Sequence, residues 1–375
     1  MKKICFVATI PAAVNSFLRD HIQAAAEKYE VTLVCSSEDK HLLSGLNARV
    51  IYMPIKRKPS PWQDLLILFQ LIKLFYQVKF DVVHTHLPKT GLLGMLAAWL
   101  TCVPIRINTF HGEVWATRSG ITRKLFKLLD RLIVFLATHI LVVSPSQRDF
   151  LIKEGVLEPG KANLIGSGSI CGVDSLRFKP DTDAKETIRE ELGISQDAIV
   201  ILFVGRLNRD KGMLDLAQAF NIIAKQQSNV ELLLVGAEED VTFVQIKDIC
   251  ADYGLRLHYV KFTNQPEAYM AAADIFCLPS YREGLPMTIL EAAACCVPSV
   301  ASNIYGITDA VIDAETGLLC TVGDIEELTK ALLKLIEDDS LRQDLALSAR
   351  LRVIEHFQSQ KITGAMMGFY SELLM

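Results

Sequence analysis

Short apolar runs alternate with longer stretches in which apolar positions recur every three or four residues. In the first half the runs are KKICFVA, VTLVC, RVIYM, DVVHTH, IRINTF and HILVVS. In the second half they are AIVILFVG, VELLLVG, RLHYVKF, DIFCLPS and PSVAS. Between them lie stretches such as FLRDHIQAAAEKY, TRKLFKLLDRLIVFLA and GMLDLAQAFNIIAKQQ, whose spacing predicts amphipathic helices. Near-continuous apolar strands alternating with helices predict parallel sheets covered on both faces. Two such series predict an α/β protein of two doubly wound, Rossmann-like domains facing across a cleft. The polar, turn-rich segment GVDSLRFKPDTD marks a seam near Asp174–Asp181. The expected domains are 1–175, 176–355 and a C-terminal helix, 356–375, that crosses back to the first domain.

Length agrees, since 375 residues exceed one ordinary core. Half the residues are hydrophobic and 22% are charged, a globular balance. The N-terminal MKKICFVATIPAA has the outline of a short signal peptide. The helical stretch and the run VTLVC that follow instead make it the first strand of an α/β unit. No window reaches the roughly 18 apolar residues of a membrane span. Nine cysteines without a CxxC fit a reduced, cytoplasmic protein.

Charge changes the picture. Residues 1–175 hold 21 Lys+Arg against 13 Asp+Glu, or +8; residues 176–375 hold 18 against 30, or −12, and the sum is the net −4. The basic first half is expected to meet something anionic, and uneven surface drift is the alternative. Two of its segments, 55–80 and 118–139, join cations to large apolar residues and read as helices able to lie in a membrane interface. Both helices covering the sheet is the competing reading. Lys56-Arg57-Lys58 and Trp62, placed ahead of the first of these helices, favour the membrane.

In open α/β sheets ligands gather beyond the carboxyl ends of strands. After AIVILFV comes Gly205-Arg206-Leu207-Asn208-Arg209-Asp210-Lys211-Gly212, opening a helix. Gly205 permits a tight exit. Arg206, Arg209 and Lys211 at a helix start suit a diphosphate, although the motif alone also reads as a solvated basic turn. After DIFCLPS, Glu283 falls in a loop, Pro286 in the first turn of a helix and Glu291 one to two turns further on. The amides of Leu285, Met287 and Thr288 would form an anion cradle there. Carboxylates suit sugar hydroxyls, and Glu291 among small apolar neighbours reads poorly as an ordinary exposed helix face. His111, in FHG, and His84 and His86, in HTH, close two strands of the first half. HxH without a third ligand does not make a metal site.

Gly205-Arg206-Leu207 with Lys211-Gly212, the Glu283-x7-Glu291 pair and His111-Gly112 together resemble the retaining glycosyltransferases of family 4, with the GT-B fold. DVVHTHLPKTGLLGMLAAWLTCVPIRINTFHG and GSGSICGVDSLRF are similar to the branch that builds bacterial surface polysaccharides. The resemblance implies that Arg206 and Lys211 bind the donor diphosphate and that Glu291 holds the nucleotide ribose. It implies that Glu283, with Gly284, Leu285, Met287 and Thr288, holds the transferred sugar, which His111 contacts. Asn15, His84 and His86 fall on the acceptor side. The first loop, TIPAAVNSF, departs from the family in having Ala12 and Ala13 where a glycine pair is usual. The implied donor is a UDP-linked sugar used without a metal or other cofactor, and no nucleic acid is expected as a partner. The implied acceptor is a polyprenyl-diphosphate-linked saccharide, met at the cytoplasmic face of the membrane. A nucleotide-sugar epimerase of the same fold, or a non-catalytic partner subunit, are the alternatives.

Overall fold

The computed structural model describes residues 1–37, 40–56 and 59–375, with only the backbone of Lys40. The chain divides into two compact units, Met1–Gly172 with Ser359–Met375, and Val173–Gln358. The boundaries read from sequence, 175 and 355, thus become 172 and 358.

Unit 1 runs β1 (Lys3–Val7), α1 (Pro11–Phe17), α2 (Arg19–Ala26), β2 (Glu30–Cys35), β3 (Arg49–Tyr52), α3 (Pro61–Val78), β4 (Val82–His86), α4 (Pro88–Leu100), β5 (Ile105–Phe110), α5 (Gly120–Leu136), β6 (His139–Val142), α6 (Pro145–Lys153) and β7 (Ala162–Leu164). Its sheet is parallel, ordered β3-β2-β1-β4-β5-β6-β7. The strand order reverses between β1 and β4, the topological switch point of a doubly wound sheet. FLRDHIQAAAEKY, read as one helix, is broken at Leu18 between α1 and α2.

Unit 2 continues with α7 (Thr182–Leu192), β8 (Ile199–Val204), α8 (Met213–Gln226), β9 (Val230–Val235), α9 (Phe243–Ile249), β10 (Leu257–Val260), α10 (Pro266–Ala271), β11 (Ile275–Leu278), α11 (Met287–Ala294), β12 (Ser299–Ser302), α12 (Ile307–Ala310), β13 (Gly317–Cys320), α13 (Ile325–Glu337) and α14 (Asp339–His356). Its parallel order, β10-β9-β8-β11-β12-β13, puts the switch point between β8 and β11. These are the two strands whose following loops carry the candidate donor residues.

The last helix, α15 (Ser359–Leu374), belongs to unit 1. Its Ile362, Met366, Met367 and Tyr370 share a core with Ile4 and Phe6 of β1 and Ile22 of α2. The opposite face of the sheet packs Ile67, Leu71 and Phe75 of α3, Met95 of α4 and Ile133 of α5 onto Cys5, Val7 and Val83.

The outer faces of α3 and α5 are not polar. Trp62, Leu66, Phe69 and Tyr76 form an exposed stripe on α3, with Trp62 84% exposed. Ile121, Leu125, Leu128, Leu132 and Phe135, spaced four, three, four and three residues apart, form another on α5. The core reading of these helices is met by their inner faces alone. Trp62 itself lies in the first turn of α3, not ahead of it. Of the Lys56-Arg57-Lys58 cluster, Arg57 and Lys58 lie outside the described residues. Among the described residues no helix is long and apolar enough to cross a membrane.

Candidate active site

In unit 2 the loops after β8, β9 and β11 are drawn together by backbone contacts that admit no side chain. Gly236, after β9, has φ 144°, and a Cβ there would stand 1.8 Å from the carbonyl oxygen of Gly205. Gly212, at the start of α8, has φ 69°, and its Cβ would meet the Pro279 carbonyl at 2.0 Å. Asn208 caps the turn before α8, its Oδ1 accepting from the Lys211 amide at 2.9 Å. That turn aims Lys211 across the switch point, where Nζ stands 2.5 Å from Glu283 Oε1. Both side chains are largely buried, so this is a screened-off ion pair that would cost several kcal/mol to leave half-made.

Arg206 pairs with Glu239 of the β9 loop, and Asn208 Nδ2 donates to the same carboxylate at 2.7 Å. Arg209 does not join this cluster through its side chain contacts; its amide donates to Asp240 at 3.0 Å. Asp210 instead pairs with Arg282 at 2.9 Å and accepts the Tyr281 amide at its carbonyl, 2.8 Å away, which ties the two loops again.

Pro286 is the N-cap of α11, one position earlier than the first-turn site expected, with no side-chain cap. Leu285 and Met287 are buried, Thr288 and Glu291 half-buried. Burial pushes the Glu291 carboxyl up to about 7, with Glu267 adding to the rise and Arg177 opposing it. Arg177 is held to Glu267 by two hydrogen bonds of 3.0 and 2.7 Å.

In unit 1, His84 and His86 lie on one face of β4 with ring centroids 4.1 Å apart. His84 does not reach an acceptor. It is fully buried, Nδ1 at 2.6 Å from the Tyr370 hydroxyl and Nε2 at 2.7 Å from Thr109 Oγ1. The strand alternation that reads as placing a histidine at the strand end places this one two residues inside, under α15. His86, at the end of β4, places Nδ1 at 3.1 Å from Nε2 of the half-buried His111. Burial lowers the His111 pKa to about 4 and those of His84 and His86 well below the ordinary range, so all three are neutral at pH 7. Leu87, directly after His86, has φ 72°, a strained value for leucine at the entrance to α4. Asn15 is exposed on α1 and accepts from Arg19 Nε at 2.8 Å. A cavity of about 20 Å³, room for one water, lies beside His111 among Asn108, Trp115 and Asp130. Trp115 Nε1 donates to Asp130 at 2.6 Å, and burial still lifts that carboxyl to about 6.

Among the described residues no group of histidines, cysteines and carboxylates is placed to hold a metal. Sequence reasoning missed Glu239, Asn208, Arg177 and Asp130. Asn208, three residues before Lys211 at a helix start, carried a capping signal; the others are brought in from distant segments.

The family model for glycosyl transferases group 1 matches residues 184–352, and that for glycosyltransferase family 4 matches residues 14–168. A capsular polysaccharide biosynthesis glycosyltransferase of Staphylococcus aureus is 30% identical over 374 residues, covering 100% of this chain and 98% of its own. The chain belongs to glycosyltransferase family 4. A UDP-Gal:α-D-GlcNAc-diphosphoundecaprenol α-1,3-galactosyltransferase of Escherichia coli is 28% identical, over 93% of this chain and 90% of its own. The sucrose-phosphate synthase of Thermosynechococcus elongatus superposes with a TM-score of 0.85 at 23% identity, covering 100% and 99%. The transferase thus has the GT-B fold, with a parallel sheet of seven strands in unit 1 and of six in unit 2.

Proposed function

We propose that this transferase moves a hexose or N-acetylhexosamine from a UDP-sugar to a hydroxyl of a polyprenyl-diphosphate-linked saccharide, with retained anomeric configuration, in surface-polysaccharide synthesis. The observation that carries the donor reading is the pair of cations, Arg206 and Lys211, each held against a carboxylate at the switch point of unit 2. A diphosphate has the charge to compete for both cations, and the loops that hold them are fixed by backbone contacts. As the bond from the anomeric carbon to the phosphate oxygen breaks, Arg206 and Lys211 stabilise the growing charge without a metal. The acceptor oxygen bonds to that carbon on the same face and gives its proton to the leaving phosphate oxygen. Glu291 holds the ribose, Glu283 and the Gly284–Thr288 segment the sugar, and His111 takes part in the transfer. The sugar-linked diphosphoundecaprenol named for the Escherichia coli relative supports a lipid-linked acceptor.

A lipid-linked acceptor places the enzyme at the cytoplasmic leaflet, and the two exposed stripes of unit 1 support that placement. Phe69 and Tyr76 on α3 flank exposed Lys73, and Leu128 and Phe135 on α5 flank exposed Arg131, with Lys124 beside Leu125 and Leu128. Apolar side chains with interleaved cations lie in the interface plane of an anionic bilayer.

The deciding experiment supplies a panel of UDP-sugars with polyprenyl-diphosphate-sugar acceptors and identifies products by mass and anomeric configuration. A donor consumed without acceptor, giving an isomeric UDP-sugar, would establish the epimerase instead. Sedimentation with phosphatidylglycerol–phosphatidylcholine vesicles at low and high salt tests the membrane face. Salt-sensitive pelleting that is lost in Leu128→Ser/Phe135→Ser is expected, and protein left in the supernatant at low salt rejects it.

A further inference from the structure

His86 is 2% exposed, lies nearly parallel to the Phe6 ring at 6.3 Å, and among the described residues has no hydrogen-bond partner at Nε2. Its Nδ1 faces His111 Nε2 at 3.1 Å, hydrogen-bond distance. A neutral imidazole carries one N–H and one acceptor nitrogen. Two proton placements satisfy the contact. If His111 Nε2–H donates, the His86 proton sits on Nε2, a buried N–H with no acceptor. If His86 Nδ1–H donates, His86 is left with an unused lone pair at Nε2, and the proton of His111 moves to Nδ1. Orphaned buried N–H groups are rarer and costlier than under-used acceptors. The second placement is therefore the stable one.

We propose that His86 is a positioning residue, which fixes His111 as its Nδ1–H tautomer and makes it a hydrogen-bond donor to a substrate oxygen rather than a proton acceptor. This rests on the reading that His111 takes part in the transfer. Three features hold the arrangement rigid. Phe6 lies along one face of the His86 ring, and the His84 ring packs against it at 4.1 Å. His84 is in turn pinned at both nitrogens by Tyr370 and Thr109. The burial that keeps the imidazoles neutral removes the alternative of a doubly protonated ring. With His111 unable to accept, the acceptor hydroxyl proton has to leave by another group, in agreement with its transfer to the leaving phosphate oxygen.

Long-range proton–nitrogen correlation spectra of protein labelled with ¹⁵N in the imidazole rings, assigned with His111→Gln, read the tautomer directly. The wild type is expected to show His111 protonated at Nδ1. In His86→Phe that signature should shift toward Nε2–H or average, and kcat should fall about tenfold with the donor KM within about twofold, the scale of one hydrogen bond. His86→Asn, whose amide can donate, should recover part of kcat. A wild-type His111 protonated at Nε2 overturns the proposal, and needs no folded variant to do so. An unchanged tautomer or unchanged kcat in a folded His86→Phe overturns it as well. Normal turnover by His111→Gln would instead remove His111 from the transfer while leaving the tautomer result to stand.

Discussion

In unit 2 the strand-end loops hold full charges against one another: Lys211 against Glu283, Arg206 against Glu239, Arg282 against Asp210. In unit 1 the ends of β4 and β5 hold imidazoles that burial keeps neutral. Both sheets are doubly wound, and both sets of groups lie at or next to a switch point. The fold supplies the location, and the surrounding polarity decides the chemistry. Paired charges can be exchanged for an anionic ligand at modest net cost where the displaced carboxylate also gains a partner, since the cation then trades one anion for another and no buried charge is left alone. Neutral rings in an apolar setting cannot recruit a charged ligand, but they hold proton positions with little freedom.

The largest expected effect breaks the charged side of this contrast. Arg206→Ala or Lys211→Ala should lower kcat/KM by about 10²–10³ in steady-state assays, with the melting temperature barely moved in Arg206→Ala, whose pair is exposed, and lowered in Lys211→Ala, which removes the partner of the largely buried Glu283. Normal turnover by both variants would mean that the ion pairs are only structural. On the neutral side, Tyr370→Phe leaves His84 Nδ1 buried without its 2.6 Å partner. Denaturant titration should show a loss of about 1–3 kcal/mol; a neutral result would place water at that nitrogen.

Glu291 sharpens the comparison, because it is a carboxylate in surroundings more like those of unit 1. Its pKa is raised to about 7 by burial, so the folded chain holds a proton there that the unfolded chain has lost above about 4.5. Stability from this group is present below that lower value and falls as pH rises toward 7. Under the proposed role of Glu291, the ribose hydroxyls donate to its ionised form, so affinity has the opposite sign. Calorimetry with a UDP-sugar, whose diphosphate does not titrate in this range, should show about tenfold tighter binding at pH 8 than at pH 6. Glu291→Gln should bind more weakly and lose that slope; a slope that persists assigns the titration elsewhere. The smallest effect separates the two glutamates. Glu283→Ala should weaken UDP-sugar binding a few-fold more than UDP binding, whereas Glu291→Ala should weaken both alike. Equal losses throughout would erase the division of roles.

The sequence by itself determined the two-unit α/β plan, because parallel strands buried on both faces must be written as continuous apolar runs, as IVILFV and VELLLV are. It also set Arg206, Lys211 and Glu283 in segments that follow recognisable strands, and Glu291 inside the helix that comes next, which is where the structure has them. It left out β7 and β13, whose short runs ANL and GLLC lie at sheet edges and carry little pattern. What only the tertiary structure decided was pairing. Glu239 reaches Arg206 from 33 residues away, Tyr370 reaches His84 from 286, and no local spacing encodes either. His84 and His86, two residues apart in one motif, differ in what covers them: Tyr370 and Thr109 close both nitrogens of the first, while among the described residues the second has His111 at one nitrogen only. Periodicity records which face of an element is buried. It does not record which side chain from elsewhere in the chain arrives to meet it, and for polar groups that partner sets protonation and charge.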